Sequence, residues 1–363
     1  MRAMLLLRCT ALGVLAASSF PSATGSGGGV PKVCNVLSAE FGAVGDNATE
    51  DTAAVRHAIS ACGGHGGTVL LPAGHTFLLR PIELPSSTTL VVDGDIAGWR
   101  DIETWPNSTS KRCPVTPYQT PRAHVRTVPQ KEDLIWSANA SGVTISGTGT
   151  IDGAGWQWWP KMHGPPPPGA PSYWHSCRPS LVAFGRRSPA YDSGVSDVRV
   201  EGVTLKDSPF WTFSGRGLLR AVISHVHVTT SGCGYGEAPN TDGFNVQGED
   251  ILIEHCSVRN GDDCVPIFPP TRNVTVRNIT CECGNGLVPC IWPSMSIPGE
   301  GDNPSRPSAR VSPPACWNCQ LSLWHLCRLE LTERVILSTQ VRVGTSRTSC
   351  LTVPGSLARI RLS

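Results

Sequence analysis

The sequence predicts an all-β fold: a right-handed, single-stranded parallel β-helix with a short N-terminal capping helix. β-branched runs that alternate apolar and polar residues begin at Val198, Ala221, Ile251 and Val274, which are 23, 30 and 23 residues apart. Thr89–Val92 and Val143–Ile145 are expected to be earlier members of this series. No amphipathic helical pattern long enough for a βαβ crossover lies between the runs, which disfavours a doubly wound fold.

A second series of short runs accompanies the first. Its members are Phe244–Gln247, Cys264–Ile267 and Leu287–Ile291, which begin 20 and 23 residues apart. Two strands per coil that repeat with one period are typical of a solenoid, in which each coil buries its inner face against its neighbours.

One segment near the N-terminus has helical periodicity. Residues 51–61 place Ala54, Val55, Ala58 and Ile59 on one face, with Asp51 or Thr52 as the N-cap. A helix here would cover the open end of the coil stack.

The composition fits a folded, turn-rich protein. Of the 363 residues, 40% are hydrophobic and 16% charged, and the chain contains 38 glycines and 31 prolines. The formal net charge is +2 and the basic residues are scattered, so we expect no nucleic-acid partner. We also expect that the protein does not associate with a membrane and that it is a monomer.

The N-terminus predicts export. A basic Arg2 precedes a largely apolar stretch, and small residues follow, so residues 1–24 are interpreted as a signal peptide. A membrane anchor is the alternative, but the apolar run is short and is interrupted by Arg8. Five Asn-x-Ser/Thr acceptors agree with a secreted, extracellular glycoprotein, namely Asn47, Asn107, Asn139, Asn273 and Asn278.

Cysteine usage also agrees with an oxidising compartment. Fifteen cysteines are present, and removal of Cys9 with the signal peptide would leave an even number. Six of them crowd the middle of the chain and are expected to form local bridges of open connectivity: Cys233, Cys256, Cys264, Cys281, Cys283 and Cys290. Cys316-x-x-Cys319 lacks a second matched pair, so no metal site is predicted.

We therefore divide the chain into the signal peptide, a β-helix domain over residues 30–298 and an atypical tail over residues 299–363. The proline-rich segment Gly164–Pro171 is predicted to be a loop. The tail lacks strand alternation, and little regular structure is expected there. An unusual cap and a misread stretch of the gene are the two explanations left open, of which the second is favoured.

Acidic side chains precede the second series of strands. If Phe244, Cys264 and Leu287 are equivalent strand starts, Asp242, Asp262 and Asn285 occupy one position of three coils. Asp263 lies beside Asp262, and parallel strands lie about 4.8 Å apart. Carboxylates this close repel one another, which keeps at least one of them protonated beside an ionised partner. Turn formation is the alternative role for such residues, but a row of like charges is costly unless it serves a function.

These motifs resemble those of the polygalacturonases and related pectin-degrading glycosidases. Asn240-Thr241-Asp242-Gly243 followed by Gly261-Asp262-Asp263 looks like the paired signature of that family. Further similar stretches are Phe41-Gly-Ala-Val-Gly-Asp46, Gly67-Thr-Val-Leu-Leu-Pro-Ala-Gly74, Val143-Thr-Ile-Ser-Gly-Thr-Gly-Thr-Ile-Asp-Gly153 and Leu205-Lys-Asp-Ser-Pro-Phe-Trp211. The first of these is shared with many pectate-lyase-like β-helices, so it supports the fold more than the activity.

The resemblance implies a mechanism and a substrate. Asp262 would be the general acid, while Asp242 and Asp263 would hold and activate water for hydrolysis that inverts the anomeric centre, with about 6.5–9.5 Å between acid and base. Asn240 and Asn285 would contact a pectin-type polysaccharide that contains galacturonic acid. No metal and no organic cofactor is implied.

The chain departs from the family pattern twice. The usual Gly-His-Gly is Gly284-Asn285-Gly286, whose amide can donate a hydrogen bond but cannot titrate. The Arg-Ile-Lys element that grips the substrate carboxylate is absent, and no lysine follows Lys206. Two other functions therefore stay open: a pectate-lyase-like enzyme that uses calcium, and a non-catalytic carbohydrate-binding β-helix.

Two further clusters receive structural interpretations. His225 and His227 alternate along a strand and are expected to be structural rather than catalytic. Trp156, Trp158 and Trp159 could stack on sugar rings, although packing is the more common role of such a cluster.

Overall fold

The computed structural model describes residues 32–114, 127–159, 177–185, 194–234, 236–289, 334–338 and 359–361. The predicted signal peptide and the proline-rich loop lie outside the described residues. Within the described part of the chain, no helix has the length and apolar character needed to cross a membrane.

The described elements are one α-helix, one 3-10 turn at Gly155–Gln157 and 24 strands. The helix α1 spans Thr52–Cys62. The N-terminal strands are β1 Val33–Asn35, β2 Asp46–Glu50, β3 Thr68–Leu71, β4 Thr76–Leu79, β5 Ile82–Glu83, β6 Thr89–Val92, β7 Asp95–Gly98, β8 Asn107–Pro114 and β9 Thr127–Lys131. The middle strands are β10 Ile135–Ser137, β11 Ala140–Ser141, β12 Thr144–Ser146, β13 Thr150–Asp152, β14 Val182–Phe184, β15 Val195–Glu201, β16 Thr204–Lys206, β17 Phe213–Ser224 and β18 His227–Thr229. The remaining strands are β19 Phe244–Arg259, β20 Val265–Ile267, β21 Arg272–Glu282, β22 Leu287–Pro289, β23 Arg334–Ser338 and β24 Arg359–Arg361.

The strands stack as a parallel β-helix, as the sequence predicted. Strand pairs between successive coils are parallel, and the described exceptions are the antiparallel pairs β8–β9 and β23–β24. The first predicted series is confirmed in register, because Val198 pairs with Ala221, Ala221 with Ile251, and Ile251 with Val274. Ile145 pairs with Leu90 and with Val200, so the earlier members also belong to the stack.

The strands align in four columns, whereas the sequence indicated two strands per coil. One short column contains β11, Val195–Ser196 of β15, Leu218–Leu219 of β17 and Gly248–Glu249 of β19. The other three are longer. The first column contains β3, β6, β12 and the Val198–Glu201 part of β15, and the second contains β4, β7, β13 and β16. The third column is formed by β5, β10, β14, the N-terminal parts of β17 and β19, β20 and β22.

The bend between the first and second columns is made by one residue in each coil. The sequence pattern therefore predicted a single run where the structure has two strands. Gly202, His225, His255 and Asn278 occupy this bend in successive coils, with φ angles of 79°, 55°, 55° and 51°. One residue in the left-handed region turns the chain without interrupting the apolar alternation on either side. Histidine and asparagine at these positions give no turn signal as strong as glycine.

The interior of the helix is a stack of apolar side chains. In the third column, Phe184, Phe213 and Phe244 are fully buried, with ring centroids 5.7 Å and 6.2 Å apart. Phe213 and Phe244 occupy the same position of two coils, and Phe184 is level with Gly215. All three side chains point inward, so the alternating residues of these strands face outward. The outward face of the third column carries the candidate site.

Helix α1 has the predicted position and packs against β1 and β3 at the start of the stack. Val55, Ala58 and Ile59 are buried, whereas Ala54 is only half-buried. Asp51 occupies the N-cap position but makes no side-chain capping bond. Its carboxylate instead accepts hydrogen bonds from the backbone N–H groups of Val44 (2.7 Å) and Gly45 (3.0 Å), which ties the preceding loop to the helix.

Four disulfides join cysteines among the described residues. They are Cys34–Cys62, Cys113–Cys177, Cys233–Cys283 and Cys264–Cys281. Local bridging within the central group is therefore confirmed for four of its six members. Cys256 is a free, buried cysteine whose thiol pKa is raised to about 11 by burial, and Cys290 lies outside the described residues.

Two short segments of the tail are described, and both form strands. β23 pairs in parallel with β21, with Val335 level with Val274, so it continues the first column. β24 then pairs with β23 in the antiparallel direction. The apolar run in Arg334–Ser338 supplies the strand, although no periodic series led to it. The remainder of residues 299–363 lies outside the described residues, and its origin in a misread gene segment stays a prediction.

We expect Phe213→Ala to lower the free energy of unfolding by about 3–5 kcal/mol, because it opens a cavity between Phe184 and Phe244. Chemical denaturation followed by far-ultraviolet circular dichroism measures the change. Leu219→Ala is the matched control, since Leu219 is 36% exposed and its truncation opens no cavity. Equal effects of the two substitutions would contradict a core stacked at Phe213.

Candidate active site

The candidate site is a row of side chains that precede the strands of the third column. Phe213 pairs with Phe244, Val246 with Ile267, and Val265 with Leu287. The residues two positions before these strands are therefore level with one another in successive coils: Trp211, Asp242, Asp263 and Asn285. Backbone bonds connect the turns, including Gly243 N–H to the Asp263 carbonyl at 2.8 Å.

The predicted alignment was wrong by one residue in the middle coil. Strand pairing there starts at Val265 rather than Cys264, so Asp263, and not Asp262, is level with Asp242 and Asn285. Cys264 is apolar and directly precedes Val265, so the apolar pattern begins one residue before the paired strand. All three aspartates nevertheless lie in the same cluster. The carboxylates of Asp262 and Asp263 both accept from the amide of Asn285, and the charges of both raise the pKa of Asp242.

Asn260 and Thr241 build the turn that presents the aspartate pair. The buried amide of Asn260 donates to the backbone carbonyls of Thr241 and Asp263, each at 2.9 Å. The Thr241 hydroxyl donates to the Ala238 carbonyl at 2.8 Å and accepts from the Gly261 N–H at 2.9 Å. The backbones approach so closely that a Cβ at Gly261 would lie 1.9 Å from the Ala238 carbonyl oxygen. Glycine is therefore required at this position.

Two disulfides lie next to the cluster in sequence and tie its turns to other coils. Cys264, directly after Asp263, is bonded to Cys281, and Cys283, two residues before Asn285, is bonded to Cys233. These bonds join the turns of the aspartate pair and of Asn285 to neighbouring coils.

Burial and mutual repulsion alter the acidity of the three carboxyls. Asp242 is only 6% exposed, and this burial, together with the charges of Asp262 and Asp263, raises its pKa well above the ordinary value. Burial and then the charge of Asp263 raise the pKa of Asp262 to about 6. Burial also raises the pKa of Asp263, which the hydrogen bond from Asn285 opposes. The cluster can therefore hold protonated and ionised carboxyls side by side near neutral pH.

Amide groups contact the aspartate pair from two coils. Asn240 donates from Nδ2 to Asp262 Oδ2 at 3.3 Å. Asn285 donates from Nδ2 to Asp262 Oδ1 at 3.2 Å and to Asp263 Oδ1 at 3.0 Å. Donors of this kind favour the ionised carboxylate without adding a charge of their own.

Arg178 belongs to this assembly, although the sequence analysis did not single it out. It is fully buried, and its guanidinium donates to Asn240 Oδ1 at 2.9 Å. Arg178 precedes Val182 by four residues, as Asn240 precedes Phe244, and Val182, Phe213 and Phe244 are level. This matched offset was the available signal, but it could be used only after the third column was aligned.

The row continues towards the N-terminal coils as a small cavity. Ser180 and Trp211 lie in it, and Arg216 stands over the rings of Trp211 at 5.2 Å and Phe268 at 4.2 Å. The full lining is Lys111, Gln130, Ser180, Gly185, Phe210, Trp211, Ser214 and Arg216. Aromatic, hydroxyl and cationic groups thus adjoin the aspartates.

The tryptophan and histidine clusters do not join this row in the described contacts. Trp158 and Trp159 are buried: Trp158 packs edge-on against Trp105, and Trp159 donates to the Ser208 carbonyl. Trp156 is 55% exposed. The exposed ring of His225 stacks on His255 with centroids 5.0 Å apart, and His227 bonds Ser257.

The predicted glycosylation sites all lie on the surface. Each of the five sequon asparagines is exposed: Asn47, Asn107, Asn139, Asn273 and Asn278. Their modification stays a prediction. Among the described residues, no group of three or more His, Cys, Asp or Glu side chains is arranged to hold a metal ion.

Comparison with known proteins assigns the family. Residues 110–289, which contain the whole aspartate row, match the model of glycosyl hydrolases family 28. The chain belongs to this family.

Relatives within and around the family cover similar shares of the chain. A probable polygalacturonase of Vitis vinifera is 30% identical over 280 residues, which are 71% of this chain and 51% of that protein. Endo-xylogalacturonan hydrolase A of Aspergillus tubingensis is 27% identical over 253 residues, 67% of this chain and 52% of that protein. The crystal structure of an exopolygalacturonase from Thermotoga maritima superposes with a TM-score of 0.55 and 25% identity, covering 70% of this chain and 62% of that one. The chain spans about half the length of the curated relatives that it matches.

Asp242→Asn is expected to stabilise the fold, and increasingly so as the pH rises. The raised pKa means that the folded state keeps a proton that the unfolded chain releases above about pH 4, so folding loses stability as pH rises through that range. Asparagine removes this loss. We expect little change in melting temperature at pH 3 and a gain of about 2–4 °C at pH 7.

Asp197→Asn serves as the control of opposite sign. Its carboxylate is exposed and bonded to Arg220 at 2.7 Å and 2.8 Å, and the hydrogen bond from Arg220 lowers its pKa to about 2. That contribution is present above about pH 4 and is lost as pH falls, so this variant should lose some stability at pH 7. A destabilised Asp242→Asn at neutral pH would contradict the electrostatics described for the row.

Proposed function

We propose that this chain is an exported hydrolase that cleaves glycosidic bonds in pectin-type, galacturonic-acid-containing polysaccharide with inversion of the anomeric centre. The observation that carries the proposal is the cluster of three aspartates whose acidities differ, within a protein of glycosyl hydrolases family 28. The four disulfides support an oxidising, extracellular compartment.

Asp262 is assigned as the general acid. With a pKa of about 6, its carboxyl is largely protonated in mildly acidic solution and can give its proton to the glycosidic oxygen as the bond to the anomeric carbon breaks. The leaving sugar departs as an alcohol, and Asp262 becomes a carboxylate that Asn240 and Asn285 stabilise by hydrogen bonds.

Asp263 and Asp242 are assigned to the attacking water. Asp263 receives the Asn285 donor, which favours its ionised form, so it takes the proton that water loses on bonding to the anomeric carbon. Asp242 is more deeply buried and holds the same water from the neighbouring coil. The proton accepted from water then returns to Asp262 through solvent, which restores the starting state.

One cation beside the row bears on the choice of substrate. Arg216 lies over the rings of Trp211 and Phe268, whereas Lys111 is paired with buried Asp133. The positive charge of Arg216 supports binding of a uronic acid polymer by a chain that lacks the family's Arg-Ile-Lys element. The relatives named as polygalacturonase and as endo-xylogalacturonan hydrolase suggest both polymers as test substrates.

The test is a reducing-sugar assay with polygalacturonate and xylogalacturonan, with proton NMR of the first product to read its anomeric configuration. Asp262→Asn should lower kcat by about 10²–10⁴, since it removes the proton donor while it preserves shape. Asp242→Asn and Asp263→Asn should also lower kcat while affinity for oligosaccharide is retained, because these groups act on the transition state. Asp197→Asn should turn over at the normal rate.

Near-normal turnover of all three aspartate variants would show that the aspartates have a structural role and not a catalytic one. Substrate binding without any turnover in the unmodified chain would instead favour a carbohydrate-binding β-helix, the alternative suggested by Asn285 in place of the family's histidine. An unsaturated product, together with loss of activity when a chelator is present, would favour a lyase.

Replacing Asn285 should move the pH optimum rather than the fold. Asn285→Ala removes a donor that favours ionised Asp263, so the pKa of that base rises and the acidic limb of the kcat profile moves to higher pH. Asn285→His adds a side chain that is cationic at low pH, which favours the carboxylates and moves that limb to lower pH. Full pH–rate profiles with thermal melts measure both effects, and coincident profiles for the three proteins would contradict this role.

A further inference from the structure

Arg178 is a buried cation that contacts the turns of two later coils. One terminal nitrogen donates to the backbone carbonyls of Pro209 (2.6 Å) and Pro239 (3.0 Å), and the other donates to Asn240 Oδ1 (2.9 Å). The guanidinium also lies 4.9 Å from the centre of the Phe210 ring. Burial of a charge is costly unless its donors are satisfied, and these three acceptors are neutral oxygens.

The bond to Asn240 selects one of the two orientations of a side-chain amide. An arginine has only donors, so it can face Oδ1 of Asn240 but not Nδ2. With Oδ1 held by Arg178, Nδ2 is directed towards Asp262 Oδ2, where it donates at 3.3 Å. The positive charge of Arg178 next to Oδ1 also polarises the amide and makes Nδ2 a stronger donor.

Without Arg178, nothing in these contacts would prevent the Asn240 amide from turning its oxygen towards Asp262. It has a left-handed backbone conformation, with φ of 57°, at the turn that precedes Asp242. A flipped amide would place an oxygen against the Asp262 carboxylate and repel it. The planar fork of arginine can engage Pro209, Pro239 and Asn240 together, which the single ammonium of lysine cannot do with the same geometry.

We propose that Arg178 is a positioning residue that fixes the amide of Asn240 with its donor towards Asp262, and thereby controls the proton equilibrium of Asp262. This inference rests on the proposed role of Asp262 as general acid, but the contact itself is independent of turnover. Among the described residues, the titratable groups that face Asp262 are Asp263 beside it and Asp242 in the preceding coil. Asn240 and Asn285 are its neutral partners.

The experiment measures the pKa of Asp262 directly, by carbon NMR of protein labelled at the aspartate carboxyl carbon. Arg178→Gln should raise this pKa by about 0.5–1 unit, because loss of an oriented donor disfavours the carboxylate. If the protein is active, the basic limb of its kcat profile should move to higher pH by the same amount. Titration that shows the shift while no turnover occurs would retain this inference and reject the proposed function.

A double-mutant cycle separates positioning from mere support. Asn240→Ala should raise the pKa of Asp262 by a similar amount, and adding Arg178→Gln to it should cause no further shift. In an Asn285→Ala background, by contrast, Arg178→Gln should shift Asp262 in full, because Asn285 donates from the other side. Equal shifts with and without Asn240 would overturn the proposal.

Two further variants guard against a folding defect. Arg178→Lys keeps the charge but not the fork, so it should fold and still raise the pKa of Asp262. Lys131→Met is the matched control, since Lys131 is a buried cation that donates to the Trp105 carbonyl at 2.7 Å. It should change stability and leave the pKa of Asp262 alone. An unshifted Asp262 in folded Arg178→Lys and Arg178→Gln proteins would overturn the proposal.

Discussion

The distance between stacked coils is the constraint on which the site depends. Parallel strands lie about 4.8 Å apart, so residues at one offset from the strand start form a row whether or not their side chains attract. Trp211, Asp242, Asp263 and Asn285 share such an offset in the third column. At this spacing, carboxylates cannot all ionise at low cost. The glycine-dependent turn at Gly261 and the disulfides at Cys264 and Cys283 oppose the separation that repulsion would otherwise favour.

Amides rather than cations contact Asp262 in the described structure, and this has a chemical consequence. A lysine or arginine in contact with Asp262 would lower its pKa and keep it ionised, which would remove the proton needed for the proposed role. Asn240 and Asn285 stabilise the carboxylate once it has formed but contribute no net charge. Burial and the charge of Asp263 raise the pKa of Asp262 despite these donors, whereas burial alone raises the pKa of Asp263. An asparagine at position 285 thus preserves the hydrogen bonds of this site and removes one titrating group.

Periodicity in the sequence predicted the stacking and most of the site, because alternation reports directly which side chains face inward. The registers of Val198, Ala221, Ile251 and Val274 follow from it. It could not separate the first column from the second, since a single left-handed residue such as His225 turns the chain without breaking the pattern. It also shifted the middle coil by one residue, because Cys264 is as apolar as the strand that it precedes. The sequence left the disulfide pairing undecided, because the pairing depends on which cysteines the stacked coils bring together.

Arg178 shows why local sequence patterns cannot identify some residues that contact the site. It lies 62 residues from Asn240 in sequence, and the two meet only because β14, β17 and β19 stack with Phe213 in between. Its place behind the amide, rather than against the carboxylate, separates orientation from charge. In direct contact a guanidinium would hold Asp262 ionised, whereas through Asn240 it transmits a fixed direction and a modest polarisation. The site can therefore keep a precise donor geometry and a carboxyl that still binds its proton near pH 6.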